Sequence, residues 1–97
     1  PGTEGRRMSY EGEDTLLEFP PPFPIKVMGR NDADFEAHAT ALVRAHTGDK
    51  APLSVASRES RNGGFLSVTI EITAESKAQL DAIYEALTAD DQVVMAL

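Results

Sequence analysis

The sequence predicts an α+β domain with elements in the order β-α-β-β-α-β, folded as a four-stranded antiparallel sheet with two helices on one face. Three observations predict it. Leu66, Val68, Ile70 and Ile72 alternate with Phe65, Ser67, Thr69, Glu71 and Thr73, which is the period of a strand with one buried face. Two apolar stripes at helical spacing flank that strand at a distance: Phe35, Ala39, Leu42, Val43 and His46, and then Leu80, Ile83, Tyr84 and Leu87. Between the second and third strands stands Arg61-Asn62-Gly63-Gly64, a hairpin signal, because Asn-Gly accepts the positive φ values that tight turns demand. Right-handed crossovers then place both helices on the same side of the sheet, the ferredoxin-like split βαβ arrangement.

Taken in order, residues 1–15 are rich in Gly, Glu and Arg and poor in large apolar side chains, so they predict a disordered tail. The folded domain is expected over 16–97. Its lead-in is stiff: Pro20-Pro21-Pro22 fixes three successive φ angles, and Phe19 and Phe23 bracket the prolines to pin them to the core. A Pro-rich ligand for an SH3 or WW domain is the functional counterpart of that reading. Ile25 and Val27 alternate with Lys26 and Met28 as the first strand, with Pro24 at its start. Gly29-Arg30-Asn31 reads as a turn, and Asp32 or Asp34 as the cap of the first helix. Gly48 stops that helix. Leu53, Val55 and Ser57 alternate through Glu59 as the second strand. The second helix runs from Ala74 or Glu75 to Thr88, Asp90-Asp91 breaks it, and Val93–Leu97 closes the sheet.

Composition excludes several functions. With no cysteine, disulfide frameworks, thiolate zinc sites and cysteine nucleophiles are out. Nine Lys and Arg stand against sixteen Asp and Glu, a net charge of −7, and the cations are spread along the chain. Phosphate backbones are bound by neutralising them, so no nucleic acid is expected as partner, and anionic membrane surfaces would repel the chain. No apolar run approaches the roughly 18 residues of a spanning helix, and without an apolar h-region near its start no signal peptide is expected. The expected location is cytoplasmic.

Three users of this topology leave traces to compare. In an RNA-recognition module the third strand carries two stacking aromatics behind a basic residue. Here Phe65 matches one, but Ser67 takes the place of the other and Gly63 that of the basic residue. An acylphosphatase-like hydrolase would cradle phosphate after the first strand with an arginine and orient water with an asparagine. Arg30 and Asn31 stand there, but without a glycine cradle and beside Asp32 and Asp34. An ACT-type regulatory domain binds small ligands near the same turn, where Gly29 would allow close approach. The candidate ligand-binding residues are therefore Gly29, Arg30, Asn31 and Asp32, although a tight turn and a helix cap explain the same four.

A second candidate is the sheet face left bare by the helices, carrying Lys26, Met28, Phe65, Ser67, Thr69 and Glu71. Its mixture of polar and apolar groups suits a partner protein or a second copy, as a homodimer. Lys26 and Glu71 are placed to pair across the strands. His38 and His46 are eight apart, too far for the i, i+4 spacing of a shared metal, and His46 reads as a partner for a helix dipole. Ser54, Ser57, Ser60 and Ser67 have no Gly-x-Ser-x-Gly elbow. No catalytic residue, metal site or cofactor is assigned.

The run Leu17-Glu18-Phe19-Pro20, then Phe23, then Lys26-Val27-Met28-Gly29 resembles the opening signature of the YbeD-like family of small, uncharacterised bacterial proteins. The resemblance continues through His46, Gly48-Asp49, Ser67-Val68-Thr69-Ile70, Leu80, Tyr84, Leu87 and the closing Val94-Met95-Ala96-Leu97. It covers Leu16 to Leu97. The longer acidic tail and Pro24 depart from the pattern. The resemblance implies an ACT-like fold and a non-catalytic regulatory or interaction domain, acting on an unknown protein partner or small-molecule effector.

Overall fold

In a computed structural model the structure describes residues 22–97. The predicted tail over 1–15 and the lead-in from Leu16 through Pro21 lie outside the described residues. The elements are β1 (Phe23–Arg30), α1 (Phe35–Arg44), β2 (Ser54–Glu59), β3 (Phe65–Ile72), α2 (Lys77–Thr88) and β4 (Val93–Ala96). The sheet order is β2-β3-β1-β4 with every neighbouring pair antiparallel, which is the expected ferredoxin-like arrangement.

β1 and β3 form the centre of the sheet, and their inward alternates are the core. Ile25 and Val27 from β1 and Val68, Ile70 and Ile72 from β3 are buried, and they pack against Phe35, Ala39 and Val43 of α1 and Ile83 and Leu87 of α2. Burying an aliphatic or aromatic side chain of this size contributes about 1.5–3 kcal/mol, so this one layer carries most of the fold's stability. β2 is an edge strand and gives the core only Val55. Leu53, expected as the first residue of this strand, precedes it and is 55% exposed.

Pro24 is the second residue of β1 and survives there because of where β4 ends. Lys26 exchanges both backbone hydrogen bonds with Leu97, at 3.0 and 2.8 Å. Two residues back along the strand, Pro24 faces the same side, where none of the described residues of β4 pairs with it, so its missing N–H removes no ladder bond among them. β4 itself carries a bulge: Met28 pairs with Met95 but Gly29 pairs with Val93, leaving Val94 out of register.

The helix ends differ from expectation by a residue or two. Asp34 occupies the cap position of α1, but its side chain makes no capping bond. The helix finishes at Arg44, and Gly48 follows at φ +63°. Thr47, the buried polar residue of this turn, donates its hydroxyl to the Lys50 carbonyl at 2.8 Å. α2 starts at Lys77 rather than at 74 or 75, because Ser76 caps it. Ser76 Oγ accepts from the Gln79 N–H at 3.0 Å, and Gln79 Oε1 accepts from the Glu75 N–H at 2.7 Å. The other end of the same amide, Gln79 Nε2, donates to the His46 carbonyl at 2.9 Å and ties the two helices together.

Candidate functional site

The Gly29–Asp32 stretch is placed by β1 running further than the sequence predicts. Gly29 and Arg30 are strand residues, opposite Leu66 and Phe65, and the turn begins at Asn31. Gly29 is buried, and a Cβ on it would collide with the Phe35 ring and the Gln92 carbonyl. The space that this glycine opens is filled by the protein itself. Asn31 is likewise occupied: its side-chain amide donates to the Gly63 carbonyl at 2.9 Å and its backbone N–H to Gly64 at 3.2 Å, holding the β2–β3 hairpin. The Asp32 N–H donates to the Arg30 carbonyl, and the Asp32 carbonyl accepts from the Phe35 N–H. Beside them lies a pocket of about 140 Å³, edged by Arg30, Asp32, Phe35, Asp91, Gln92 and Val94. Two carboxylates on that rim disfavour an anionic substrate.

The other six predicted residues all lie on the face opposite the helices. The β1–β3 register sets Lys26 beside Thr69, Met28 beside Ser67 and Arg30 beside Phe65. Glu71 falls opposite Pro24 and Ser54, not Lys26, and accepts the Ser54 hydroxyl at 2.9 Å, which replaces the expected Lys26–Glu71 pair. β2 adds Ala56 and Arg58, the latter opposite Ser67, and β4 adds Met95 beside Met28. Phe65, Met95 and Leu97 are 40%, 48% and 68% exposed, large apolar side chains with no element of the described residues packed over them. Two hollows mark this face. One, of about 240 Å³, is lined by Lys26, Met28, Ser67, Met95 and Leu97. The other, of about 480 Å³, is lined by Phe65, Arg58, Glu59, Ser60 and Arg61 together with the same Met28 and Ser67. The two hollows adjoin at Met28 and Ser67 and together form a grooved surface across the sheet.

The histidines are on the helix side. His38 Nε2 lies 2.9 Å from both carboxylate oxygens of Asp90, and that hydrogen bond, chiefly, lowers the Asp90 pKa below its ordinary value. Asp90 also accepts the Gln92 N–H at 2.9 Å, so the pair fastens α1 to the turn before β4. Among the described residues no group of three or more His, Cys, Asp or Glu side chains is placed to hold a metal ion.

Comparison with known proteins adds the family. The profile of a family described as proteins of unknown function, DUF493, matches residues 14–97. The chain belongs to the DUF493 family. A UPF0250 protein of Chromobacterium violaceum is 43% identical over 90 residues, covering 93% of this chain and all of that one. UPF0250 proteins of Nitrosomonas europaea and Bordetella pertussis are 39% and 38% identical over 85 residues, covering 88% of this chain and 98% and 93% of theirs. These relatives agree with the resemblance carried by the first-strand signature. In fold, this DUF493 chain is similar to the C-terminal domain of the MgtC protein from Mycobacterium tuberculosis, with a TM-score of 0.56 at 16% identity, covering 78% of this chain and 82% of that one.

Sequence reasoning about this DUF493 chain missed the β2 and β4 contributions to the open face. Arg58 was readable, since it alternates with Val55 and Ser57 on an edge strand. Met95 and Leu97 were not assignable, because the bulge at Val94 decides which face they join. No helix among the described residues is long and apolar enough to cross a membrane.

Proposed function

We infer that this DUF493 chain is a non-catalytic regulatory or partner-binding domain of the cytoplasm, working through its open sheet face. The observation that carries this reading is the groove bounded by Met28, Phe65, Met95 and Leu97, apolar surface of a kind that soluble domains reserve for contacts. A small-molecule effector at Gly29–Asp32 has weaker support, since Phe35 fills the space beside Gly29 and two acids rim the pocket. The hydrolase alternative at Arg30 and Asn31 has less, because the Asn31 amide is spent on Gly63 and a water-orienting group must be free to reach its water.

The test is a photo-crosslinking residue introduced in place of Phe65 on the open face and, separately, in place of Ala37 on the exposed side of α1. Expressed in a bacterium that carries the family, the Phe65 variant is expected to yield discrete adducts by mass spectrometry and the Ala37 variant none. Adducts from Ala37 alone would overturn the assignment.

A further inference from the structure

The cations that are scattered in sequence converge in space on this face, and their convergence names the partner's chemistry. Arg30 lies directly across the β1–β3 ladder from Phe65. Arg58 and Arg61 line the same hollow as Phe65, and Lys26 lines its continuation beside Met95 and Leu97. None of these four forms an ion pair with another described residue; the pairs there join His38 to Asp90, Lys50 to Glu75 and Lys77 to Asp81. Against them the face sets Glu71, engaged by Ser54, and Glu59 at the hairpin rim. A protein with a net charge of −7 thus keeps a cationic island around the exposed Phe65.

We propose that the open-face groove binds an extended acidic peptide segment of another protein, carrying an apolar anchor beside Phe65 and carboxylates against Arg58, Arg61, Arg30 and Lys26. The proposal rests on the reading of the open face as the working surface and adds what the partner is made of. The groove runs from β4 to β2, three inter-strand steps of about 4.8 Å, and slants along the strands, so it seats about five or six extended residues. Arginine suits this task, because its planar guanidinium takes a carboxylate in two hydrogen bonds and stacks on an aromatic ring. Met28 and Met95 supply adaptable apolar walls. A second copy of the chain fits poorly, since two such faces would bring like charges together. Single-stranded nucleic acid also fits poorly: it stacks successive bases on several aromatics, and among the described residues Phe65 is the one aromatic on this face.

The experiment uses the full chain, isotope-labelled, and three probes: a decapeptide of alternating Glu and Leu with a central Phe, the same peptide with Lys for every Glu, and a ten-nucleotide oligothymidylate. The acidic peptide is expected to shift the amides of Met28, Arg58, Phe65 and Ser67, to bind at least about tenfold tighter than the basic one, and to weaken as salt rises. The exposed-site variants Arg58→Gln and Arg61→Gln, combined, are expected to lose about tenfold in affinity for the acidic peptide with an unchanged amide spectrum elsewhere. Equal binding of the two peptides, shifts confined to the helix side, or tighter binding of oligothymidylate would each overturn the proposal. Adducts at Phe65 without preference for the acidic peptide would sink the charge assignment alone. Failure of both experiments would sink the face as well.

Discussion

The ring of Phe35 occupies the space that a side chain on Gly29 would need, and the Gln92 carbonyl closes it from the other side. The first turn of α1 and the approach to β4 therefore meet at one point on β1. Gly29→Ala is expected to destabilise the fold by about 3 kcal/mol or more, since neither a buried ring nor a backbone carbonyl yields cheaply. Gly48→Ala, where φ is positive but the space is open, is expected to cost only about 1 kcal/mol. Urea denaturation of the two variants side by side measures the difference.

Asn31 works as a brace for the hairpin. Asn31→Ala removes the amide donor to the Gly63 carbonyl and is expected to cost about 1 kcal/mol, with a local loss of amide protection around Gly63 and Gly64. Arg30→Ala, on an exposed strand position, is expected to leave stability within about 0.5 kcal/mol. Hydrogen exchange on both variants separates the roles.

The core prediction contrasts two leucines. Leu87 of α2 is fully buried in the main cluster, and Leu87→Ala is expected to cost about 2–5 kcal/mol. Leu53 lies mostly in solvent, and Leu53→Ala is expected to fall within about 0.5 kcal/mol of the parent. Thermal or chemical unfolding reads both.

Asp90 gives the fold a pH dependence of definite sign. Its folded pKa is lowered, first by the hydrogen bond with His38 and also by the Gln92 N–H. The unfolded chain, where Asp titrates at about 3.9, therefore binds the proton more readily. The stabilisation is fully present above that value and is lost as pH falls through the lower folded value. Unfolding midpoints between about pH 2 and pH 6 are expected to drop across that acidic window, and Asp90→Asn is expected to flatten the drop.

The fold was legible because its central elements advertise themselves. The alternation from Phe65 to Ile72 and the stripes through Phe35 and Ile83 come from burial on one face, which periodicity reports directly. Edges were harder. Leu53 reads as a strand residue but precedes β2, which is an edge strand, and the start of α2 turns on the bonds that Gln79 makes with Ser76 and Glu75 rather than on hydropathy. The partner of His38, 52 residues away at Asp90, leaves no local signal. At the site, the six open-face residues follow from alternation alone. The convergence of Arg30, Arg58 and Arg61 does not, because it depends on the register that sets β1 and β2 on either side of β3.

The most direct measurement is the solution mass of the chain and of Ser67→Arg, which places a bulky cation in the middle of the groove. A face built for an acidic partner does not pair with itself, so both proteins are predicted to be folded monomers, and the parent is predicted to bind the acidic peptide. A parent dimer that Ser67→Arg converts to a folded monomer would contradict this account and assign the open face to self-association.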